Sequence, residues 1–269
     1  MASTLFGIVL LVTRPRIRIP RDRWWVFPVV ALMNPFLPFL LISWAEVRIE
    51  TGVTSILNAT VPLFTLAFAP LLLPDEKPTW RTLAGTTLGF LGIAILFSGQ
   101  VKGNFLHSSE GLVGQFAVLV ACFLYSVSAV ILRRFSPQAG PMVQAALLNG
   151  LACVFVWIQA ISTGVLALPP AQINWIAITW LGSFGSFGAY SLGMYVMHKR
   201  GATQLSLINF AYPLLGMFLG ILFLGEAFSL RLLLGGLLIL GGIALSKSSE
   251  RVQSPFGFRK ATGPFRKGI

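Results

Sequence analysis

The sequence predicts an all-α polytopic membrane protein built from two inverted repeats. Three observations lead there: a charge content too low for a water-facing surface, a series of long apolar stretches, and a pattern duplicated about 150 residues apart. Of 269 residues, 55% are hydrophobic and 10% charged, with a mean hydropathy of +0.81. A soluble domain carries roughly 25% charged residues because its surface must face water. The 16 Pro and 27 Gly fit the same class, since both are frequent in membrane helices.

A span needs about 20 apolar residues to cross a hydrocarbon core of roughly 30 Å. The first full stretch, 25–45, follows an arginine-rich run and stops at Glu46, and the second, 53–73, lies between Glu50 and Asp75. The third, 82–99, follows Arg81, and the fourth, 111–132, is bounded by Glu110 and Arg133. The fifth, 142–168, ends at Pro169-Pro170, and the sixth, 174–197, ends at His198. The seventh and eighth, 203–224 and 230–246, flank a turn containing Glu226. A shorter apolar run, Ala2 to Val12, precedes them and covers about half a bilayer at 1.5 Å per residue. A signal peptide carries its positive charge before the apolar core, whereas here Arg14, Arg16, Arg18, Arg21 and Arg23 follow it. The run therefore reads as the second half of a span whose beginning is missing.

The cations test this count. Arg14, Arg16, Arg18, Arg21, Arg23, Lys77, Arg81, Arg133, Arg134, Lys199, Arg200, Lys247, Arg251, Arg259, Lys260, Arg266 and Lys267 fall on one side when connectors alternate. Arg48, Lys102 and Arg231 fall on the other. A split of 17 to 3 supports alternating spans with the basic side, and the C-terminus, in the cytoplasm. The same distribution accounts for the net charge of +12 without nucleic acid, because the cations occupy short loops and a tail where they meet lipid headgroups. Cys122 and Cys153 both fall inside spans and read as packing residues.

The duplication begins with Asn58 and Pro62, spaced like Asn209 and Pro213. Glu76, Arg81, Gly85, Gly92, Ile93 and Ala94 match Glu226, Arg231, Gly235, Gly242, Ile243 and Ala244. Five spans separate equivalent positions, and an odd number turns the second copy upside down. Inverted repeats with a site near the midplane belong to many secondary transporters, so a carrier is expected.

Residues 51–100, TGVTSILNATVPLFTLAFAPLLLPDEKPTWRTLAGTTLGFLGIAILFSGQ, resemble the second part of an EamA-type domain of the drug/metabolite transporter superfamily. GATQLSLINFAYPLLGMFLGILFLGEAFSLRLLLGGLLILGGIAL at 201–245 resembles the same part of a second domain. The resemblance implies ten spans, five per repeat, with both termini cytoplasmic. The chain is then expected to hold eight full spans plus a half. A first repeat over 1–100 lacks one span and part of the next, and a connector over 101–110 follows it. A second repeat occupies 111–246, and a basic tail covers 247–269.

No Asp, Glu, Lys, Arg or His lies well inside a span, so no coupling residue is identified. Glu76 and Glu226 sit at span ends, where the favoured reading is a carboxylate near the N-terminus of the following helix. Asn58 and Asn209 are candidate cavity residues, one turn before the candidate hinges Pro62 and Pro213. Each proline frees the carbonyl four residues earlier, which belongs to the asparagine. A local hinge and packing device competes here with direct substrate contact. Trp44, Tyr125, Tyr190 and Tyr212 are further cavity candidates, each against a packing or interface role. Tyr195 stands beside them, while Trp24, Trp25, Trp175 and Trp180 suit an interfacial belt. Gln115 and Gln144 lie close to span ends, and His107 and His198 read as loop residues. The stretch Gly182 to Gly188 suits close helix packing or a cavity wall equally.

There is no phosphate loop, no Gly-x-Ser-x-Gly and no His/Cys cluster, so neither an enzyme nor an ATP-driven pump is expected, and no cofactor or metal. The expected partners are the lipid bilayer, a small organic substrate and a coupling ion or proton; dimerisation stays open. The leading reading is a plasma-membrane exporter of metabolites or amphipathic compounds. The alternative is a non-transporting membrane subunit or an inactive truncated fragment.

Overall fold

The computed structural model describes residues 1–15, 19–49, 51–98, 109–164, 172–211 and 230–247. Among these the regular structure is helical. The helices are α1 (Ala2–Thr13), α2 (Val26–Ala31), α3 (Leu37–Glu46), α4 (Thr51–Asn58), α5 (Val61–Leu72) and α6 (Trp80–Phe97). After them come α7 (Ser109–Phe135), α8 (Pro141–Thr163), α9 (Gln172–Trp180), α10 (Ala189–Arg200), α11 (Ala202–Leu207) and α12 (Leu230–Lys247).

Four of the expected spans appear as helical segments long and apolar enough to cross a bilayer: Arg21–Glu46, Val53–Leu72, Glu110–Phe135 and Pro141–Thr163. α6 and α12 have 18 residues each, about 27 Å of rise, slightly less than an average hydrocarbon core. The stretch 174–197 spreads over α9, a wide π-type segment Leu181–Gly188, and α10. Of 203–224, only the part up to residue 211 is described. α1 packs against α8 and the π-type segment, with Phe6 buried 4.7 Å from the ring of Phe187. Ser3 donates to the carbonyl of Asn149 at 3.0 Å.

Among the described residues the most extensive helix pair is α6 with α12. Glycines let these backbones touch, as membrane helices do when small residues face one another. A Cβ at Gly92 would stand 2.7 Å from the carbonyl oxygen of Gly235, and one at Gly235 would stand 2.7 Å from that of Gly92. Gly85 and Gly242 face each other in the same reciprocal way. Shifting positions by 150 residues turns the contact Gly85–Gly242 into Gly235–Gly92, so the two contacts exchange. Phe210 is fully buried and also depends on α6, its ring lying 2.5 Å from where a Cβ of Gly89 would be.

The ends of α7, α10 and the connector after α5 meet at one end of the bundle. Glu76 lies there with a side chain only 4% exposed. Its carboxylate accepts from the backbone N–H groups of Ala202 and Thr203, both at 2.8 Å, and from the Thr203 hydroxyl at 2.7 Å. Arg133 pairs with Glu76 and with Asp75, each at 2.7 Å. The expectation that Glu76 serves the helix that follows it is therefore corrected. It caps α11, far away in sequence, while Thr79 caps α6 through the N–H of Thr82 at 3.2 Å. The short connector leaves Thr79 next to α6 and carries Glu76 towards α11. Gly201 makes this possible: its φ of +100° suits glycine, and a Cβ there would stand 2.7 Å from a Glu76 carboxylate oxygen. Glu226 lies outside the described residues.

Gly242→Ala should lower stability by about 1–3 kcal/mol through overpacking, whereas Gly241→Ala, with nothing within 4 Å, should not. Thermal unfolding of the purified protein in detergent reads both. In the same assay Glu76→Ala should cost about 3 kcal/mol, because it strips a capped helix and leaves Arg133 unpaired from its buried partner. Arg133→Ala should cost less, since Glu76 keeps three donors.

Candidate functional site

Two groups of buried or half-buried polar side chains lie where helices are interrupted. Between α2 and α3 the chain passes through a π-type segment, Leu32–Phe36. Asn34 is extended there, at φ −167° and ψ 109°, and the Asn34–Pro35 peptide is cis. Pro35 has no N–H to give the preceding turn, which weakens the helix at this point. The Asn34 side-chain oxygen accepts a hydrogen bond from the Tyr190 hydroxyl at 2.7 Å. Tyr190 follows directly on the second π-type segment, Leu181–Gly188, and packs against the cluster formed by Phe27, Val30, Leu148 and Met194. Two irregular spans thus join through one asparagine and one tyrosine.

A second polar group surrounds the break between α4 and α5. Helical bonding loosens at Ala59 and Thr60, one turn into the span and just before Pro62. Hydrocarbon offers no water to the carbonyls near such a break, so side chains must serve them. The Thr60 hydroxyl donates to Leu57 O at 2.7 Å, and the Thr65 hydroxyl to Val61 O at 2.9 Å. From α7, Ser126 donates to Val61 O at 2.9 Å and the Cys122 thiol approaches Leu57 O at 3.4 Å. The same thiol lies 3.5 Å from the Asn58 side-chain oxygen. Tyr125, also on α7, packs with Leu57 and Phe64 around Ala45, Val53, Val61 and Cys122. The structure therefore brings Asn58, Pro62 and Tyr125 into one neighbourhood.

In the second half, α11 tightens into a 3₁₀ turn at Ile208–Phe210. Asn209 is half-buried in that turn, beside the fully buried Phe210. Tyr212 and Pro213 lie outside the described residues.

Trp44 is not among the residues packed around Tyr125. It is 41% exposed near the end of α3, where the Arg48 guanidinium lies 3.8 Å from its ring centre and donates to its carbonyl. An apolar helix end with a cation over an indole suits the membrane–water boundary. Tyr195 is likewise exposed, beneath Lys199. Gly182 packs against Met1, whereas Gly185 and Gly188 are exposed.

Sequence reasoning passed over three groups. Asn34 was hidden inside a stretch read as a continuous apolar span, although Asn-Pro is a strong break signal. Gln144 is fully buried and donates to Ser136 O at 2.6 Å, despite its place near a span end. His198 is part of α10, which corrects its reading as a loop residue; His107 lies outside the described residues. Among the described residues no group of His, Cys, Asp and Glu could hold a metal ion.

Comparison with known proteins is consistent along the chain. The profile of the EamA-like transporter family matches residues 1–98 and again 112–247. The uncharacterized transporter YdfC of Bacillus subtilis is 25% identical over 91% of this chain and 77% of its own length. An uncharacterized transporter of Archaeoglobus fulgidus is 24% identical over 90% of this chain and 83% of its own. A protein of Streptantibioticus cattleyicolor named probable terminal-alkyne amino-acid exporter is 23% identical over 90% of this chain and 80% of its own. A crystal structure of 22% identity shares the fold, with a TM-score of 0.73 over 91% of this chain and 84% of that one. With its two matches and its membrane-length helices, the chain is a multi-pass integral membrane transporter and belongs to the EamA-like transporter family.

Proposed function

We propose that the protein is a secondary transporter that exports small organic metabolites or amphipathic compounds by alternating access between two inverted repeats. The observation that carries this reading is the reciprocal contact of α6 with α12. Two copies related by a two-fold axis must exchange their contacts, as Gly85–Gly242 and Gly92–Gly235 do. The repeats run over 1–100 and 111–246, with a cytoplasmic tail at 247–269 and the basic side facing the cytoplasm of the plasma membrane. One relative is named an exporter, which supports the outward direction.

In this reading the substrate lies between the interrupted spans. Asn58, Asn209, Tyr125, Tyr190 and Tyr212 contribute to the cavity, joined by Asn34, and Trp44 marks the membrane boundary. Amide and phenol groups without formal charge suit neutral or zwitterionic molecules with an apolar part. Pro62 and Pro213 act as hinges, because helices already loosened at 59–60 and 208–210 bend there at low cost.

The test is substrate flux in proteoliposomes, with candidate substrates first selected by thermal stabilisation of the purified protein. Asn58→Ala combined with Asn209→Ala should abolish flux while the protein still folds, since each amide bond in lipid contributes only about 0.6–2 kcal/mol to stability. Unchanged flux would sink the site assignment, and absence of flux for every substrate bound would favour a non-transporting membrane protein. Tyr190→Phe removes only the hydroxyl that meets Asn34; it should reduce flux about tenfold, equivalent to roughly 1.4 kcal/mol in the rate-limiting step.

A further inference from the structure

His198 lies in the last turn of α10 with both ring nitrogens against backbone carbonyl oxygens. Nδ1 is 3.0 Å from Met194 O on the same helix, and Nε2 is 2.8 Å from Ala139 O in the turn joining α7 to α8. A carbonyl oxygen only accepts, and a neutral imidazole carries a single N–H. Either neutral tautomer therefore sets a ring lone pair against a carbonyl lone pair at hydrogen-bond distance. The doubly protonated ring alone satisfies both.

The surroundings weigh for and against that charge. Lys199 and Arg200 follow on α10, Arg133 and Arg134 close α7, and Arg23 reaches the carbonyl of Phe135. These cations oppose a further positive charge. Asp75 and Glu76, from the connector after α5, are both engaged by Arg133. Among the described residues no carboxylate bonds to the ring, so the two carbonyls are what holds the proton. The contact also has a mechanical consequence. Ala139 is buried in one apolar cluster with Met194 and Met197 of α10 and Ala145 and Leu148 of α8. His198 ties the polar edge of that cluster, and Gln144 braces the turn from inside through Ser136 O.

We propose that His198 is a proton-binding clasp at the basic end of the bundle. With a proton on each ring nitrogen it docks α10 on the 136–140 turn. When the Nε2 proton leaves to water, the ring keeps its Nδ1–H bond to Met194 O and turns a lone pair towards Ala139 O. That replaces an attraction with a repulsion and loosens the dock. The docked form is therefore the acid form, and loss of the Nε2 proton releases it. As the coupling proton of transport the site rests on the carrier reading above; as a proton site it does not.

The protein has two histidines, so His107→Gln leaves His198 as its one imidazole. Nitrogen NMR of this variant, labelled at histidine and held in lipid nanodiscs, should show two N–H nitrogens at the acid end of a pH series and a neutral Nδ1–H ring at its alkaline end. Amide exchange, corrected for its intrinsic pH dependence, should rise over the same interval in residues 136–145 and 189–200, and His198→Gln should abolish that rise. A neutral ring throughout, or an unchanged rise in His198→Gln, would overturn the proposal. A protein that shows the step but moves no substrate keeps the proton site and loses the carrier reading. Transport without the step has the opposite outcome.

Discussion

Hydrocarbon cannot hydrogen-bond to a peptide group, and each backbone polar group left unpaired there costs several kcal/mol. Every irregularity in this bundle has to be answered from inside the protein. At the break between α4 and α5, hydroxyls and a thiol reach the carbonyls of Leu57 and Val61, two of them from α7. At the break between α2 and α3, the Asn34 side chain faces the Tyr190 hydroxyl instead of lipid. These two sets of polar residues are thus tied to places where helices are broken. The same places suit a binding site, because there backbone polar groups turn away from the regular helical ladder.

The two halves are held together by contacts of different character. On one side glycines bring the backbones of α6 and α12 into direct contact, so dispersion acts over a long, flat seam. At the basic end, the Glu76 carboxylate caps α11 while pairing with Arg133. Its four donors replace the water lost on burial, which is the condition for a buried charge to be stable. A close-packed seam resists sliding, and the buried Glu76 carboxylate is costly to separate from its donors.

Much of the fold was legible in the sequence because lipid imposes a simple code. Length and apolarity located the stretches that became α5, α7 and α8, and the glycines of α6 and α12 stood out through their repetition. Pro62 and its neighbours announced a break, and one is present at residues 59–60. Asn34 escaped because a single polar residue hardly lowers the apolarity of a 20-residue window. Trp44 and Tyr125 look alike as aromatics in apolar stretches, yet one meets Arg48 at the surface and the other packs beside Leu57. Side-chain direction depends on the rotation of each helix about its axis, and neighbouring helices set that rotation.

Composition, apolar stretches and the distribution of cations by themselves determined that this chain resides in a membrane as a bundle of helices. The reason is that partition between water and lipid depends on residue type summed over a window, and no partner is needed to evaluate the sum. Only the tertiary structure decided which groups meet: Glu76 with α11, Tyr190 with Asn34, His198 with Ala139, and Gly85 with Gly242. Each of these pairs spans at least 59 residues of sequence. Their formation depends on how helices cross and rotate, which follows from packing small residues and satisfying buried polar groups across the whole bundle at once.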